Sequence, residues 1–235
     1  IFLFFLGLSV QAKSIVKFKT ADDIEMTADL YLTESIENPF IILCHQAGWS
    51  RGEYLEIAPK LNTLGYNCLA IDQRSGGKIN GVINETHQLA KAKELGTTYA
   101  DAEVDIISAI KYVQKNYSIS RKLILWGSSY SSSLVLKITG ERSDISAVLA
   151  FSPGEYFKAP DYIKNRAKNI KVPTFVTSGK TERKNWWPIY EAIFSKTKTH
   201  FLPETVGNHG SRALWEKFSE HENYWTAVKN FLKTI

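Results

Sequence analysis

The sequence predicts one α/β domain with a mostly parallel sheet, an antiparallel N-terminal edge and helices on both faces. Short, continuous apolar runs such as Phe40–Cys44 and Asn67–Ile71 are typical of parallel strands that are buried on both faces. These runs alternate along the chain with segments of helical periodicity, as in folds built from β-α units. The chain has 235 residues, 44% of them hydrophobic, which is enough for one sizeable core. No repeat or linker interrupts the pattern, so residues 13–235 are assigned to one domain.

The antiparallel edge is predicted from the first two strands, at residues 15–19 and 24–32. Both alternate between apolar and polar residues, and Asp22-Asp23 forms the turn between them. Strand and helix patterns then alternate to the end of the chain. In order, these are strand 40–44, helix 54–64, strand 67–71, a polar loop to about Gly96, helix 101–116, a strand from Lys122, strands 147–151 and 173–177, helix 188–195, strand 199–202 and helices from Ser211 onward.

Local signals bound the helices and the loops between them. Gly65 follows helix 54–64 as a C-terminal cap, and Thr98 with Asp101 resembles a capping box before helix 101–116. The segment between strands 147–151 and 173–177 has about twenty residues, which is too few for a lid domain. We therefore expect a shallow, open site and no sizeable cap domain.

The first twelve residues form an apolar run that is too short to span a membrane. The run has the character of a signal-peptide h-region, and Val10-Gln11-Ala12 places small residues where a cleavage site needs them. We predict a truncated signal peptide at 1–12, a mature chain from near Lys13 without an integral membrane span, and export to the periplasm or the outside. The alternative is a hydrophobic N-terminal strand or anchor.

Charge and cysteine content exclude several classes of function. The formal net charge is +5, and the lysines and arginines are dispersed, so nucleic-acid binding is not expected. The two cysteines, Cys44 and Cys68, lie inside predicted strands and lack metal-ligand spacing. Buried free thiols are favoured over a disulfide, and no metal site is expected.

The segment from Leu123 to Ser131, LILWGSSYS, reads as a strand that runs directly into a helix. It has the shape of the G-x-S-x-G nucleophile elbow, with Ser129 at the nucleophile position and Ser131 in place of the last glycine. A serine hydroxyl is a weak nucleophile unless a base activates it. The elbow therefore predicts a histidine, an acid and an oxyanion hole elsewhere in the chain.

We expect the oxyanion hole and the base in the loops that follow the strands, because ligands of open α/β sheets bind beyond the carboxyl ends of the strands. The loop after Phe40–Cys44 provides Ala47, whose backbone amide we favour over that of Gln46, and the amide of Tyr130 is the second donor. His209 follows the last predicted strand between two glycines and is the expected base. The other four of the five histidines lack this context.

The acid is expected one short loop past strand 173–177, where Glu182 is the nearest carboxylate. Glu155, after the preceding strand, is the competing candidate, and Asp161 lies further out. The order Ser129, Glu182, His209 is the order of nucleophile, acid and histidine that α/β-hydrolases use.

With these motifs, the chain resembles the α/β-hydrolases of the dienelactone-hydrolase type and of the small exported esterase and peptidase type. The resemblance implies an α/β-hydrolase fold and a carboxylesterase-like serine hydrolase that acts on a small-molecule acyl substrate without a cofactor. A peptidase, a thioesterase or an acyltransferase with the same triad is an alternative, as is a catalytically silent binding module. Dienelactone hydrolases use a cysteine nucleophile, so the serine at position 129 argues against that particular reaction.

A substrate rim is predicted around the elbow. Its candidate aromatic members are Trp49, Tyr130, Trp186 and Trp187. Ordinary packing at the start of a helix is the alternative for the Trp186-Trp187 pair. Arg74 and Arg183 are candidates to bind a carboxylate on the substrate, with a surface or structural ion pair as the alternative.

Overall fold

The computed structural model describes residues 13–117 and 122–235, so the predicted leader at 1–12 lies outside the described residues. Ten strands are found in this part of the chain. They are β1 (Ser14–Lys19), β2 (Glu25–Tyr31), β3 (Phe40–Cys44), β4 (Asn67–Ile71), β5 (Lys78–Ile79), β6 (Val82–Ile83), β7 (Leu123–Ser128), β8 (Ala147–Phe151), β9 (Thr174–Thr177) and β10 (Lys198–Phe201). Eight of them form one sheet in the order β1-β2-β4-β3-β7-β8-β9-β10, and β5 pairs with β6 in a separate hairpin.

The sheet is parallel from β4 to β10 and antiparallel at its N-terminal edge. β2 pairs antiparallel with both β1 and β4, whereas β4, β3, β7, β8, β9 and β10 pair in parallel. The register sets Cys44, the last residue of β3, opposite Gly127 near the end of β7. Since parallel strands end at the same edge of a sheet, the loops that follow β3, β7, β8, β9 and β10 emerge together.

The helices cover both faces of this sheet. They are α1 (Ile57–Thr63), α2 (Glu85–Ala92), α3 (Glu103–Asn116), α4 (Tyr130–Glu141), α5 (Tyr162–Ala167), α6 (Arg183–Ala192) and α7 (His221–Leu232). Successive strand residues point to opposite faces. Ile42 and Leu125 pack with residues of α3 to α6 in one buried cluster, and Ile41 and Ile124 pack with α1 and α7 in the other.

Several elements differ from the sequence-based expectation, among them the unpredicted helix α5. The predicted polar loop to Gly96 contains the β5–β6 hairpin and α2, which buries only Thr86 and Ala90 and therefore shows little apolar periodicity. Helix 54–64 is divided into a 3₁₀ turn at Arg51–Tyr54 and α1. The helix predicted to start at Pro188 begins five residues earlier, and the proline lies inside α6.

The segment between β8 and β9 contains only the six-residue helix α5, and no cap domain covers the sheet edge in the part of the chain that the structure describes. Cys44 and Cys68 are buried free thiols, and burial raises the pKa of both. No helix in the ranges 13–117 and 122–235 is both long and apolar enough to cross a membrane.

The turn from β7 into α4 brings two backbone segments unusually close together at Gly127. A Cβ atom on Gly127 would lie 2.5 Å from the carbonyl oxygen of Ser131 and 2.5 Å from the Cα atom of Ser132. Real Cβ atoms do not approach backbone this closely, so only glycine fits here. At Gly65, by contrast, φ is +87° and a Cβ atom would meet nothing within 4 Å.

Alanine substitutions at Gly127 and Gly65 distinguish the effect of a steric clash on stability from the effect of an unfavourable backbone conformation. We expect Gly127→Ala to lower the free energy of unfolding by about 3 kcal/mol or more, because the helix must move off the strand. Gly65→Ala is expected to lower it by about 1–2 kcal/mol, the cost of a left-handed conformation alone. Urea denaturation measures both changes. Equal losses in the two variants would contradict the steric explanation.

Candidate active site

Ser129 lies at the corner between β7 and α4 in a strained backbone conformation. Its φ is +59° and its ψ is −127°, in a region that non-glycine residues rarely occupy. The amide of Ser129 donates a hydrogen bond to the carbonyl of Phe151 on the neighbouring strand at 2.8 Å, which holds the corner in place. The side chain is thereby presented at the carboxyl edge of the sheet.

The structure joins His209 to Glu182 by a 3.0 Å hydrogen bond between Nδ1 and Oε1. Both side chains are partly exposed, with 32% and 23% of their surface accessible. Since Nδ1 donates to the carboxylate, Nε2 is the free acceptor of the imidazole. No hydrogen bond connects Ser129 Oγ to His209 within the described residues.

The loops that carry Glu182 and His209 are bound to each other. The amide of Lys180 donates to the carbonyl of Val206 at 2.8 Å. The phenol of Tyr224, on α7, donates to the carbonyl of Ser178 at 3.1 Å and accepts from the amide of Asn208 at 3.4 Å. These contacts hold the acid and the histidine at a fixed separation.

Glu155, the competing acid, has a different partner set. Its two carboxylate oxygens accept from the backbone amides of Ile163 and Lys164, at 2.8 and 2.9 Å. These amides lie in the first turn of α5, where backbone donors lack partners inside the helix. Glu155 therefore caps α5. Asp161 precedes the same helix and is 57% exposed at its side chain.

Two backbone amides at the sheet edge are without an acceptor in the described part of the chain, those of Ala47 and Tyr130. The amide of Gln46, in contrast, donates to Oε2 of Glu53 at 2.8 Å. Ala47 is half-buried, and Tyr130 is the first residue of α4, where backbone amides have no partner inside the helix. Tyr130 begins α4, where the helix dipole favours negative charge.

His45 is buried within the loop after β3 and holds its shape. Its Nε2 accepts from the amide of Gln73 at 2.9 Å, and its Nδ1 donates to the carbonyl of Gln46 at 2.8 Å. Burial lowers the pKa of His45 to about 4. The imidazole is therefore neutral, and its hydrogen bonds to Gln46 and Gln73 hold the turn before Ala47 in one conformation.

Ser131, in the place of the elbow's last glycine, is buried and doubly hydrogen-bonded. Its hydroxyl donates to the carbonyl of His45 and accepts from the side-chain amide of Gln73 at 2.9 Å. The hydroxyl therefore ties α4 to the loops after β3 and β4. The departure from the motif adds a specific contact that glycine cannot make.

Glu53 is a buried carboxylate at this edge that the sequence-based reasoning missed. Its Oε1 accepts from the hydroxyl of Ser128 at 2.7 Å, and its Oε2 accepts from the amide of Gln46. Burial raises the pKa of Glu53 to about 7. A charged residue in a polar segment usually indicates solvent exposure, so no sequence signal pointed to it.

The chain is similar to known proteins in its three-dimensional structure, but not in its sequence. No protein-family model matches the chain, and no curated protein matches it in sequence. An esterase of Pyrococcus furiosus superimposes with a TM-score of 0.75 at 20% identity, covering 97% of this chain and 93% of the esterase. A dienelactone hydrolase of Anabaena variabilis superimposes with a TM-score of 0.74 at 15% identity, covering 95% of this chain and 97% of that one.

The chain has the α/β-hydrolase fold. An esterase domain from a Rhodothermus marinus protein is a further structural neighbour, with a TM-score of 0.64, 14% identity, and coverage of 93% of this chain and 96% of the domain. The sequence-based assignment of the fold is confirmed, and a dienelactone hydrolase is among the proteins that share it. At these identities, the neighbours establish the fold alone.

Within this α/β-hydrolase fold, two residues assigned to the substrate rim lie elsewhere. Arg74 is buried, and its guanidinium donates to the carboxylates of Asp22 and Asp105 at 2.6 and 2.8 Å. Trp186 is fully buried and donates from its indole to the hydroxyl of Ser178 at 2.7 Å. The rim assignment of both is wrong, because each is fully engaged in packing or pairing inside the protein.

Of the other rim candidates, Trp49 and Trp187 are half-buried and Arg183 is exposed. Trp49 stacks on Trp215 with ring centroids 5.4 Å apart. Trp187 packs beneath the guanidinium of Arg183, which lies 3.8 Å from its ring. The Tyr130 ring is fully buried, and its hydroxyl accepts from the side-chain amide of Gln73, so the rim assignment of Tyr130 is wrong as well.

Two tyrosines near Ser129 were not predicted. Tyr156, after β8, donates to the carbonyl of Ser152 at 2.9 Å and also contacts Ser129; burial raises its pKa, and the Ser129 contact acts in the opposite direction. Tyr99 stacks on the Tyr130 ring at 4.5 Å. Tyr99 is 40% and Tyr156 37% exposed. The position of Tyr156 beyond a strand end was the signal that could have found it.

The raised pKa of Glu53 makes stability depend on pH. A carboxyl whose pKa is near 7 in the folded state and near 4.5 when unfolded stabilises the fold below pH 4.5. That contribution, on the order of 3 kcal/mol, is lost as pH rises through 7. Glu53→Gln has no such ionisation. We expect its melting temperature, relative to wild type, to rise between pH 5 and pH 8.

Thermal denaturation of both proteins across that pH range measures the effect. A difference in melting temperature that stays constant from pH 5 to pH 8 would show that Glu53 does not ionise with a raised pKa.

Proposed function

We propose that the protein is a serine hydrolase that cleaves ester-type acyl bonds of small molecules through an acyl-enzyme on Ser129. The observation that carries this proposal is the His209–Glu182 pair at the sheet edge where the strained Ser129 is presented. An imidazole with a free Nε2, oriented by a carboxylate on Nδ1, is the base that a serine nucleophile needs. The structural neighbours of the chain include esterases, which supports the proposal of ester hydrolysis.

In this mechanism, Ser129 Oγ attacks the acyl carbonyl while Nε2 of His209 accepts the hydroxyl proton. Glu182 holds the imidazole in the tautomer with hydrogen on Nδ1 and stabilises the imidazolium that forms. The negative charge that develops on the carbonyl oxygen is bound by the backbone amides of Ala47 and Tyr130. Both amides are without an acceptor within the described ranges, and so are available for this role.

Collapse of the tetrahedral intermediate breaks the bond to the leaving alcohol, which takes the proton from His209. Water then attacks the acyl-enzyme, with His209 again as base, and the acid is released. Ser129 must be reached by both reactants. The short β8–β9 segment, with only α5 in it, supports an open site for small acyl substrates.

Labelling tests the nucleophile directly. A fluorophosphonate probe is expected to modify the wild-type protein at Ser129, as located by peptide mass spectrometry, because such probes react with activated serines. Ser129→Ala should lose both the label and the hydrolysis of activated acyl esters. An intact, folded wild-type protein that is never labelled at Ser129 would be inconsistent with the proposed function.

The assignment of the acid is tested by two matched amide variants. Glu182→Gln is expected to lower kcat about 100-fold or more, because the amide orients the imidazole in the wrong tautomer. Glu155→Gln is expected to keep kcat near the wild-type value and to lose about 1 kcal/mol of stability as a weakened helix cap. Steady-state kinetics on one activated ester decides between them. The reverse pattern would identify Glu155 as the acid.

A further inference from the structure

Glu53 is a buried carboxylate in the 3₁₀ turn Arg51–Tyr54, and the proposed mechanism gives it no role. None of its surface is accessible. Its two oxygens accept from two different segments of the site, the Gln46 amide at 2.8 Å and the Ser128 hydroxyl at 2.7 Å. Gln46 directly precedes Ala47, and Ser128 directly precedes Ser129. The carboxylate is thus one residue away from an oxyanion donor and from the nucleophile.

A third segment reaches the same carboxylate through Ser128. The hydroxyl oxygen of Ser128 accepts from the amide of Ser211 at 2.9 Å while its proton is donated to Glu53. Ser211 lies two residues after His209. The main-chain carbonyl of Glu53 also accepts from the indole of Trp215 at 2.9 Å, which binds the same loop further along. Removing Glu53 would therefore loosen the oxyanion loop, the elbow and the histidine loop together.

We propose that Glu53 is a positioning residue for the reaction of Ser129, holding the Ala47 amide and the His209 loop in register with the nucleophile through its ionised carboxylate. The inference rests on the proposed function of Ser129. A carboxylate accepts from both donors as they stand, whereas a protonated carboxyl or an amide must donate to the Ser128 hydroxyl and so reverses that bond.

The charge of Glu53 faces only a few ionisable groups. His209 and Arg212 lie on the histidine-loop side and favour the carboxylate, while burial opposes it. Tyr54, the next residue, is buried and its pKa is raised by burial and by the charge of Glu53. Within the described residues, Glu53 forms no ion pair. Burial raises the pKa of Glu53 to about 7, so the carboxyl changes its ionisation near neutral pH.

Glu53→Gln keeps the shape of the side chain and removes its charge and one acceptor. We expect kcat to fall roughly 10- to 100-fold with KM within about 3-fold of wild type, because misplaced catalytic groups affect the transition state more than substrate binding. We expect the acid limb of the wild-type profile of kcat against pH to contain the ionisation of Glu53. That ionisation should be absent from the variant profile. The melting temperature at pH 8 should not fall.

Asp72→Asn is the matched control. Asp72 is also a fully buried carboxylate, but it binds the Arg51 guanidinium and the backbone amides of Arg51 and Glu85. This variant is expected to lose stability and to keep the pH profile of wild type. If Glu53→Gln retains wild-type kcat and pH profile, or if Asp72→Asn shows the same kinetic change, the positioning role of Glu53 is wrong.

Amide hydrogen exchange separates this proposal from the proposed function. In Glu53→Gln, the amides of Gln46 and Ser211 are expected to exchange faster than in wild type, whereas the amide of Ser129 is bonded to Phe151 and should change less. Wild-type protein that fails to react at Ser129 refutes the hydrolase assignment and the reaction that Glu53 would serve, even if Glu53→Gln speeds exchange at Gln46 and Ser211. Unchanged exchange at Gln46 and Ser211 overturns the role of Glu53 whatever the activity.

Discussion

The Glu53 carboxylate joins the loop after β3 to the end of β7 by hydrogen bonds that the sheet itself does not provide. The parallel sheet brings the ends of β3 and β7 to one edge, but its backbone ladder stops there. Beyond the ladder, each loop needs side-chain partners for its polar groups. Glu53 provides them for Gln46 and Ser128, and Ser128 extends the connection to Ser211. The polar site thus has its own buried framework above the apolar core.

This framework is made mainly of short hydroxyl side chains. Ser131 links α4 to the loop after β3, and Ser152 accepts the amide of Gly210 at 2.9 Å beside the histidine. Hydroxyls suit these positions because each both donates and accepts. The close approach of β7 and α4 has a different cause, the absence of a side chain on Gly127. The strained backbone of Ser129 persists because its surroundings are tied down in this way.

The buried charges of the molecule are of two kinds. Arg74 with Asp105, and Arg51 with Asp72, are buried charges that neutralise each other. Glu53 has no such partner in the described part of the chain, and burial alone raises its pKa. An unneutralised buried carboxylate lowers stability, and its presence beside Ser129 is the pattern expected of a functional site. The paired arginines, one of them first assigned to the substrate rim, belong to the stable scaffold.

The sequence by itself determined the eight strands of the main sheet, its parallel order with an antiparallel edge, and the positions of Ser129, Glu182 and His209 after strand ends. Continuous apolar runs and a serine two residues after a glycine are local patterns, so they can be recognised in the sequence without a structure. Only the tertiary structure decided that α2 exists, that α6 continues through Pro188, and that Arg74 and Trp186 are inside. It alone revealed Glu53. A polar side chain is buried only when segments distant in the sequence pack around it, and the residues next to it in the sequence do not indicate this.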